Sequence, residues 1–285
     1  MVSDNVDELI QLALAEDFGE GDVTSNYFIP EHLRARAVLS PRTKGVLSGV
    51  DVAARVFKAV DPTLHTEIYL HDGEAVGAGA IVMLIEGSAR SILGAERTAL
   101  NFIQRLSGIA TMTRRYVKAI SHTRCRLLDT RKTTPGYRLL EKAAVRHGGG
   151  VNHRMGLYDR AMVKDNHLTT QGDLRHLQTC IFKLKAEKPD VEVELEADKL
   201  EQVVSFLTLE GVDYILLDNM SPDQMRQAVQ LRGSRATPLL EASGGITLET
   251  APAAAETGVD FISFGILTHS APSLDLGLDF SIASR

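Results

Sequence analysis

Val6, Leu9, Ile10, Ala13 and Leu14 recur at i, i+3, i+4, i+7 and i+8, which lays one apolar stripe along a helix near the start of the chain. Gly19 and Gly21 then end it. From Ala35 to Glu86 the short apolar runs ARAVLS, GVLSGV, TEIYL and AIVMLIEG alternate with turns and one helix around Val52 to Val60, the pattern of a small α+β domain. Ser91 predicts the cap of a helix running to about Leu106. Gly108 predicts an interruption and a second helical stretch to about Ile120, the pair bridging two domains.

Past that bridge the pattern becomes regular. The strand-like runs RLLDT, RAMVK, VEVEL, YILLD, PLLEA and FISFG are separated by stretches long enough for helices, which predicts a parallel sheet with right-handed crossovers. Periodicity allows either a barrel or an open doubly wound sheet. Polar residues favour the α/β barrel, because nearly every run ends on a reactive or anion-binding group: Asp129 to Lys132, Lys164 with Asp165, Glu194 with Glu196, Asp218, Glu241 to Gly245, and Gly265. In barrels such strand ends converge on one mouth.

Composition adds exclusions. The 285 residues are 44% hydrophobic and 24% charged, ordinary for a globular chain with a large core. The N-terminal stretch lacks a signal-peptide pattern and no window is apolar enough for a membrane span, so the expected location is the cytoplasm. Cys125 and Cys180 form no CxxC pair, which removes a disulfide framework and a zinc ribbon. The net charge of −6 argues against general nucleic-acid binding, yet the stretch Arg124 to Arg154 is strongly basic. A local cationic site in an acidic protein points to a small polyanionic ligand.

Five segments could carry chemistry. In DTRKTTPGYR, Arg131 offers a planar fork for a carboxylate and Lys132 a compact charge for phosphate, against the alternative of a solvated basic loop. In RHGGGVNHRMGLYD, three glycines precede Asn152, His153 and Arg154; the glycines could equally be a helix stop, and His153 a structural histidine. VKDNH ends a strand on Lys164, followed by Asp165, Asn166 and His167. There the lysine could be a Schiff-base nucleophile or an anion anchor, and Asp165, His167 and His153 a remote metal possibility. VEVELE and ILLDN put Glu194 and Asp218 at the ends of neighbouring strands, as ribose acceptors, Mg²⁺ ligands or stabilisers of positive charge, or as plain ion-pair partners of Arg131 or Lys164. EASGGIT and SFGILTHS follow the last two strands like the paired phosphate loops of many barrels, with Ser243, Gly244, Gly245 and Gly265 offering N–H groups.

Taken together, ERTALNFIQRLSGIAT, LLDTRKTTPGYRLLEKAAVRHGGGVNHRMGLYD, MVKDNH, VEVELE, LLDNM, EASGGI and SFGILTHS resemble the nicotinate-nucleotide pyrophosphorylases, also called quinolinate phosphoribosyltransferases, over nearly the whole chain. The resemblance implies an N-terminal α+β sandwich domain over residues 1–110, completed by 271–285, and an incomplete TIM-like α/β barrel over 111–270, in a homodimer with shared active sites. It implies that Arg97 reaches into the other copy, that Arg131, His153 and Arg154 hold the two carboxylates of quinolinate, and that Lys132 and Lys164 face the pyrophosphate and reacting centre. Glu194 and Asp218 would lie by the ribose. Ser243, Gly244, Gly265 and His269 would take the 5-phosphate. Mg²⁺ would arrive with phosphoribosyl pyrophosphate, held mainly by phosphate oxygens and waters.

Three other readings remain at this level: a related phosphoribosyltransferase with another acceptor such as nicotinate, a barrel lyase using Lys164 as a Schiff base, and a non-catalytic barrel that binds an anionic metabolite.

Overall fold

The computed structural model describes residues 2–164 and 174–282. These form two compact units: residues 1–114, 134–149 and 267–285 in the first, and 115–133 with 150–266 in the second.

The first unit begins with α1 (Val2–Phe18), ended by Gly19 in a left-handed conformation, and α2 (Val23–Phe28). Its principal sheet holds β1 (Arg34–Pro41), β3 (His65–Ile68), β5 (Met83–Ser88) and the C-terminal β12 (Leu276–Ile282), in the order β12-β1-β5-β3. All three pairings are antiparallel, so the end of the chain completes this sheet, with Ala35 opposite Ile282. β2 (Gly45–Val46) and β4 (Ala75–Val76) form a separate ribbon. On α3 (Val50–Val60), the residues Val52, Ala53, Val56 and Phe57 are buried at i, i+1, i+4 and i+5, the stripe of an amphipathic helix.

The expected pair of helices after the sheet is one helix, α4 (Ala89–Ile120). Gly108 does not interrupt it. A Cβ at Gly108 would lie 2.1 Å from the Pro272 carbonyl oxygen, so the glycine permits close passage of the 272–274 strand lead-in, whose Leu274 N–H donates to Gln104 O at 3.0 Å. Ser91 is not the cap either. The Ser88 hydroxyl accepts the Ser91 N–H at 3.4 Å, while the Ser91 hydroxyl donates to Asp61 at 2.8 Å. Residues 134–149, including α5 (Arg138–His147), cluster with this unit although they fall inside the span expected for the barrel. Stacking of Tyr137 on Phe102 at 5.5 Å and the Arg105–Glu141 ion pair at 2.8 Å tie them there.

The second unit carries six parallel strands: β6 (Arg126–Leu128), β7 (Arg160–Val163), β8 (Glu192–Ala197), β9 (Tyr214–Asp218), β10 (Leu239–Ser243) and β11 (Phe261–Ser263). Their order, β6-β11-β10-β9-β8-β7, is the chain order with the first strand moved beside the last. A doubly wound sheet would place its first strand internally; pairing first with last is what curls six strands into an incomplete barrel. Helices α6 (Leu174–Glu187), α7 (Leu200–Phe206), α8 (Pro222–Arg232) and α9 (Ala251–Ala255) make the crossovers. The short α10 (Ile266–His269) follows β11 and leads into the first unit. None of the described helices is long and apolar enough to cross a membrane.

Candidate active site

The chemistry concentrates in the second unit. Successive strand residues alternate faces, so Glu192, Glu194 and Glu196 of β8 share one face, and each meets a cation from β7 or its continuation. Arg160 Nε donates to Glu192 Oε2 at 2.9 Å, Arg160 Nη1 lies 3.5 Å from Glu194 Oε2, and Lys164 pairs with Glu196. The parallel register that sets Arg160 opposite Glu192 and Met162 opposite Glu194 dictates this ladder. The Arg160 guanidinium also sits 3.9 Å from the centroid of the Tyr214 ring.

Glu194 is therefore not at a strand end, as its sequence position suggested. It is the third of six residues in β8 and is fully buried, because its side chain points between strands toward His153 and Glu241. His153 Nε2 lies 3.2 Å from Glu194 Oε2 and 3.4 Å from Glu241 Oε2. Its Nδ1 accepts the Arg154 N–H at 2.7 Å, and its own N–H donates to buried Asp129 at 2.8 Å. Asp129, just beyond β6, also takes the Asn152 amide at 2.5 Å, which fixes the whole 152–154 segment.

Electrostatics follow from burial and neighbours. Burial pulls the His153 pKa down, but the two carboxylates outweigh it and raise the value to about 9. Glu241 is pushed up by burial and then by the Glu194 charge. Burial works the same way on Glu194, yet His153 and Arg160 hold it below the usual carboxylate range. Arg154 is lowered by burial and by the positive charge of Arg131. Arg154 keeps its orientation through an Nη1 donation to Arg160 O at 3.0 Å.

Asp218 closes β9, opposite Ser243 at the end of β10. Asn219, held at φ +53°, donates its amide to Asp218 Oδ2 at 2.9 Å. Gly244 follows with φ +86°, and a Cβ there would meet Asn219 Oδ1 at 2.3 Å, so only glycine lets this turn approach. Lys132 is exposed, its N–H bonded to Thr130; Gly265 is half-buried beyond β11. Arg97 and His269 belong to the first unit, where both are exposed, His269 bonding Ser270 at 2.5 Å. Asp165, Asn166 and His167 lie outside the described residues.

Among these residues the structure draws His153, Glu194 and Arg154 together, with the Arg131 charge acting on Arg154. Sequence reading missed Arg160, Asn219 and the role of Glu241. An arginine opening an apolar strand and an acid in the middle of LLEAS were the available signals.

A six-stranded barrel with arginines, buried counter-charges and glycine turns after its last strands defines an enzyme that handles small polyanions. The chain belongs to the quinolinate phosphoribosyl transferase family: the family's C-terminal domain matches residues 109–279 and its N-terminal domain residues 22–107. It is 40% identical over 278 residues to the probable nicotinate-nucleotide pyrophosphorylase [carboxylating] of Bacillus subtilis strain 168, covering 98% of this chain and 94% of that protein. It is 42% identical over 279 residues to the nicotinate-nucleotide pyrophosphorylase [carboxylating] of Mycobacterium leprae, covering 95% and 96%. The crystal structure of NadC from Streptococcus pyogenes superposes with a TM-score of 0.91 at 40% identity, covering 98% of this chain and 97% of that one.

Proposed function

We propose that this chain transfers the phosphoribosyl group of phosphoribosyl pyrophosphate to quinolinate with decarboxylation, giving nicotinate mononucleotide, carbon dioxide and pyrophosphate for NAD biosynthesis. The observation that carries the reading is the buried Arg131 Nε, without a hydrogen-bond partner among the described residues, in the same unit as Arg154, whose guanidinium is held by Arg160 O at 3.0 Å and feels the Arg131 charge. A buried guanidinium nitrogen without a partner calls for an acceptor, and like charges that raise each other's energy are relieved by an anion. A dicarboxylate supplies both needs. His153 serves this clamp through Arg154, whose N–H it holds, because its ring nitrogens face protein groups.

In this reaction the bond from C1 of the ribose to pyrophosphate breaks, and its electron pair leaves with pyrophosphate. The pyridine nitrogen of quinolinate bonds to C1. The resulting pyridinium then draws in the electron pair of the bond to the adjacent carboxylate, carbon dioxide departs, and a solvent proton takes its place on the ring. No protein nucleophile is needed. The chain's work is positioning and charge compensation.

Lys132 and Lys164 neutralise the pyrophosphate, Lys164 exchanging Glu196 for the ligand. Asp218 takes a ribose hydroxyl, while Glu194, buried behind the clamp, acts through its field on the positive charge developing at C1. Ser243, Gly244 and Gly265 receive the 5-phosphate. Mg²⁺ suits this site: Asp218 is a half-buried hard-oxygen donor oriented by Asn219, and the ion, carried mainly on phosphate oxygens, offsets pyrophosphate charge when bound.

The functional form is a homodimer in which each copy's Arg97, exposed on α4, completes the other's site. Two free cysteines fit a reducing compartment, the cytoplasm. Incubation with quinolinate, phosphoribosyl pyrophosphate and Mg²⁺ should yield nicotinate mononucleotide by chromatography. Absence of product from folded dimer rejects the assignment.

A further inference from the structure

Glu241 is fully buried in the third position of β10, and neither of its oxygens completes a hydrogen bond of normal geometry among the described residues. The groups packed around it come from every side: His153 from the segment after α5, Glu194 from β8 with Arg160 of β7 behind it, and Ser263 from β11. A buried carboxylate beside a second one is costly unless a proton or a cation lies between them.

Proton counting narrows the choice. An imidazolium facing two carboxylates holds the same two protons as a neutral imidazole facing one carboxylate and one carboxylic acid, so the cluster titrates as a unit. The Arg154 N–H, donating to Nδ1 at 2.7 Å, occupies the place the second ring proton would need. That leaves Nε2 as the protonated ring nitrogen and the other proton on a carboxyl group. Glu194 has Arg160 to favour its ionised form and Glu241 pairs with no arginine among the described residues, so the proton belongs to Glu241.

We propose that Glu241 is a positioning residue of the transferase site: held as the neutral acid, it fixes His153 in the Nε2–H tautomer, and His153 in turn seats the Arg154 main chain and with it one arm of the dicarboxylate clamp. This rests on the quinolinate reading for its kinetic consequence, though not for the state of the histidine. The upward displacement of both His153 and Glu241 agrees with one shared proton retained to about pH 9.

The test compares Glu241→Gln with Glu241→Ala. Glutamine reproduces the donor and acceptor of a carboxylic acid, so Glu241→Gln should keep the quinolinate KM within about threefold of wild type at neutral pH, whereas Glu241→Ala should raise it on the order of tenfold with the phosphoribosyl pyrophosphate KM unchanged. Above pH 9 the wild-type KM should climb as the shared proton leaves, and the Glu241→Gln KM should not follow it. In unliganded protein, ¹⁵N spectra of histidine-labelled samples should show His153 as the Nε2–H tautomer in wild type and Glu241→Gln and a mixture in Glu241→Ala, with His153→Gln assigning the signal. If Glu241→Gln is as impaired as Glu241→Ala, or if wild type alone binds Mn²⁺ at the cluster tightly without substrate and Glu241→Gln does not, a neutral acid is the wrong description. If quinolinate is not turned over at all, the spectra still decide the tautomer independently.

Discussion

Replacing Arg160 by methionine removes the guanidinium from between Glu192 and Glu194 while keeping most of the side chain's length. Glu192 is 42% exposed and can turn to water, so little follows from its side of the pair. Glu194 is fully buried and loses its arginine, keeping only the His153 Nε2 at 3.2 Å. Stranding a buried charge costs about 3–5 kcal/mol; the 3.5 Å separation and the retained His153 place this case near the lower end, about 3 kcal/mol. At roughly 2–4 °C per kcal/mol for a chain of this size, the melting temperature should fall by roughly 6–12 °C.

The sign with pH is fixed by Glu194. Its pKa is held below the ordinary value in the folded protein, so its contribution is present above the unfolded carboxylate range and lost as pH falls through the folded value. The deficit of Arg160→Met should therefore shrink in acid, and Glu194→Gln added to it should restore more than half of the loss at neutral pH. Thermal unfolding followed by circular dichroism at several pH values measures all of this. A melting temperature within about a degree of wild type, or a double variant no better than the single, would refute the argument that Arg160 compensates a buried charge.

Further expectations concern the clamp, the phosphate turn and alkaline stability. Arg131→Ala and Arg154→Ala should each raise the quinolinate KM about tenfold or more, the worth of one charge-assisted fork, in steady-state assays. Gly244→Ala puts a Cβ 2.3 Å from Asn219 Oδ1 in a left-handed turn, so it should raise the KM for phosphoribosyl pyrophosphate while leaving quinolinate binding, measured by calorimetry, nearly intact. The proton shared by His153 and Glu241 is retained to about pH 9 against an ordinary histidine value of 6.5; its stabilising contribution is complete below about 6.5 and vanishes as pH rises through 9, which urea unfolding between pH 6 and 10 should record. With sites shared between copies, an Arg97→Ala copy mixed with an Arg131→Ala copy should recover, at quinolinate well below the raised KM, more activity than the two show separately.

Much of this was legible in the chain because strands buried on both faces are continuous apolar runs: YILLD and PLLEA announce themselves, and the strand ends carry Asp218 and Ser243 where expected. Gly108 misled because a helix breaker and a close-packing glycine look identical in sequence; Pro272, 164 positions later, decides between them. The role of Glu241, and Arg160 altogether, were missed for the same reason. Each is an isolated charge in an apolar strand, and only the lateral register of a parallel sheet, set by residues far away in sequence, says that Arg160 lies against Glu192 and that Glu241 faces His153. Glu194 was found by its motif but given the wrong depth, since position along a strand cannot be read without knowing where the strand stops.

The central claim is that this site accepts a dicarboxylate and removes one of the two groups. Quinolinate carrying ¹³C in the carboxylate next to the ring nitrogen, supplied with phosphoribosyl pyrophosphate and Mg²⁺, tests it directly, with nicotinate as the parallel acceptor. Labelled carbon dioxide, pyrophosphate and nicotinate mononucleotide should form in equal amounts from quinolinate, and no mononucleotide from nicotinate. Mononucleotide from nicotinate at a comparable rate, or pyrophosphate released without labelled carbon dioxide, would contradict it.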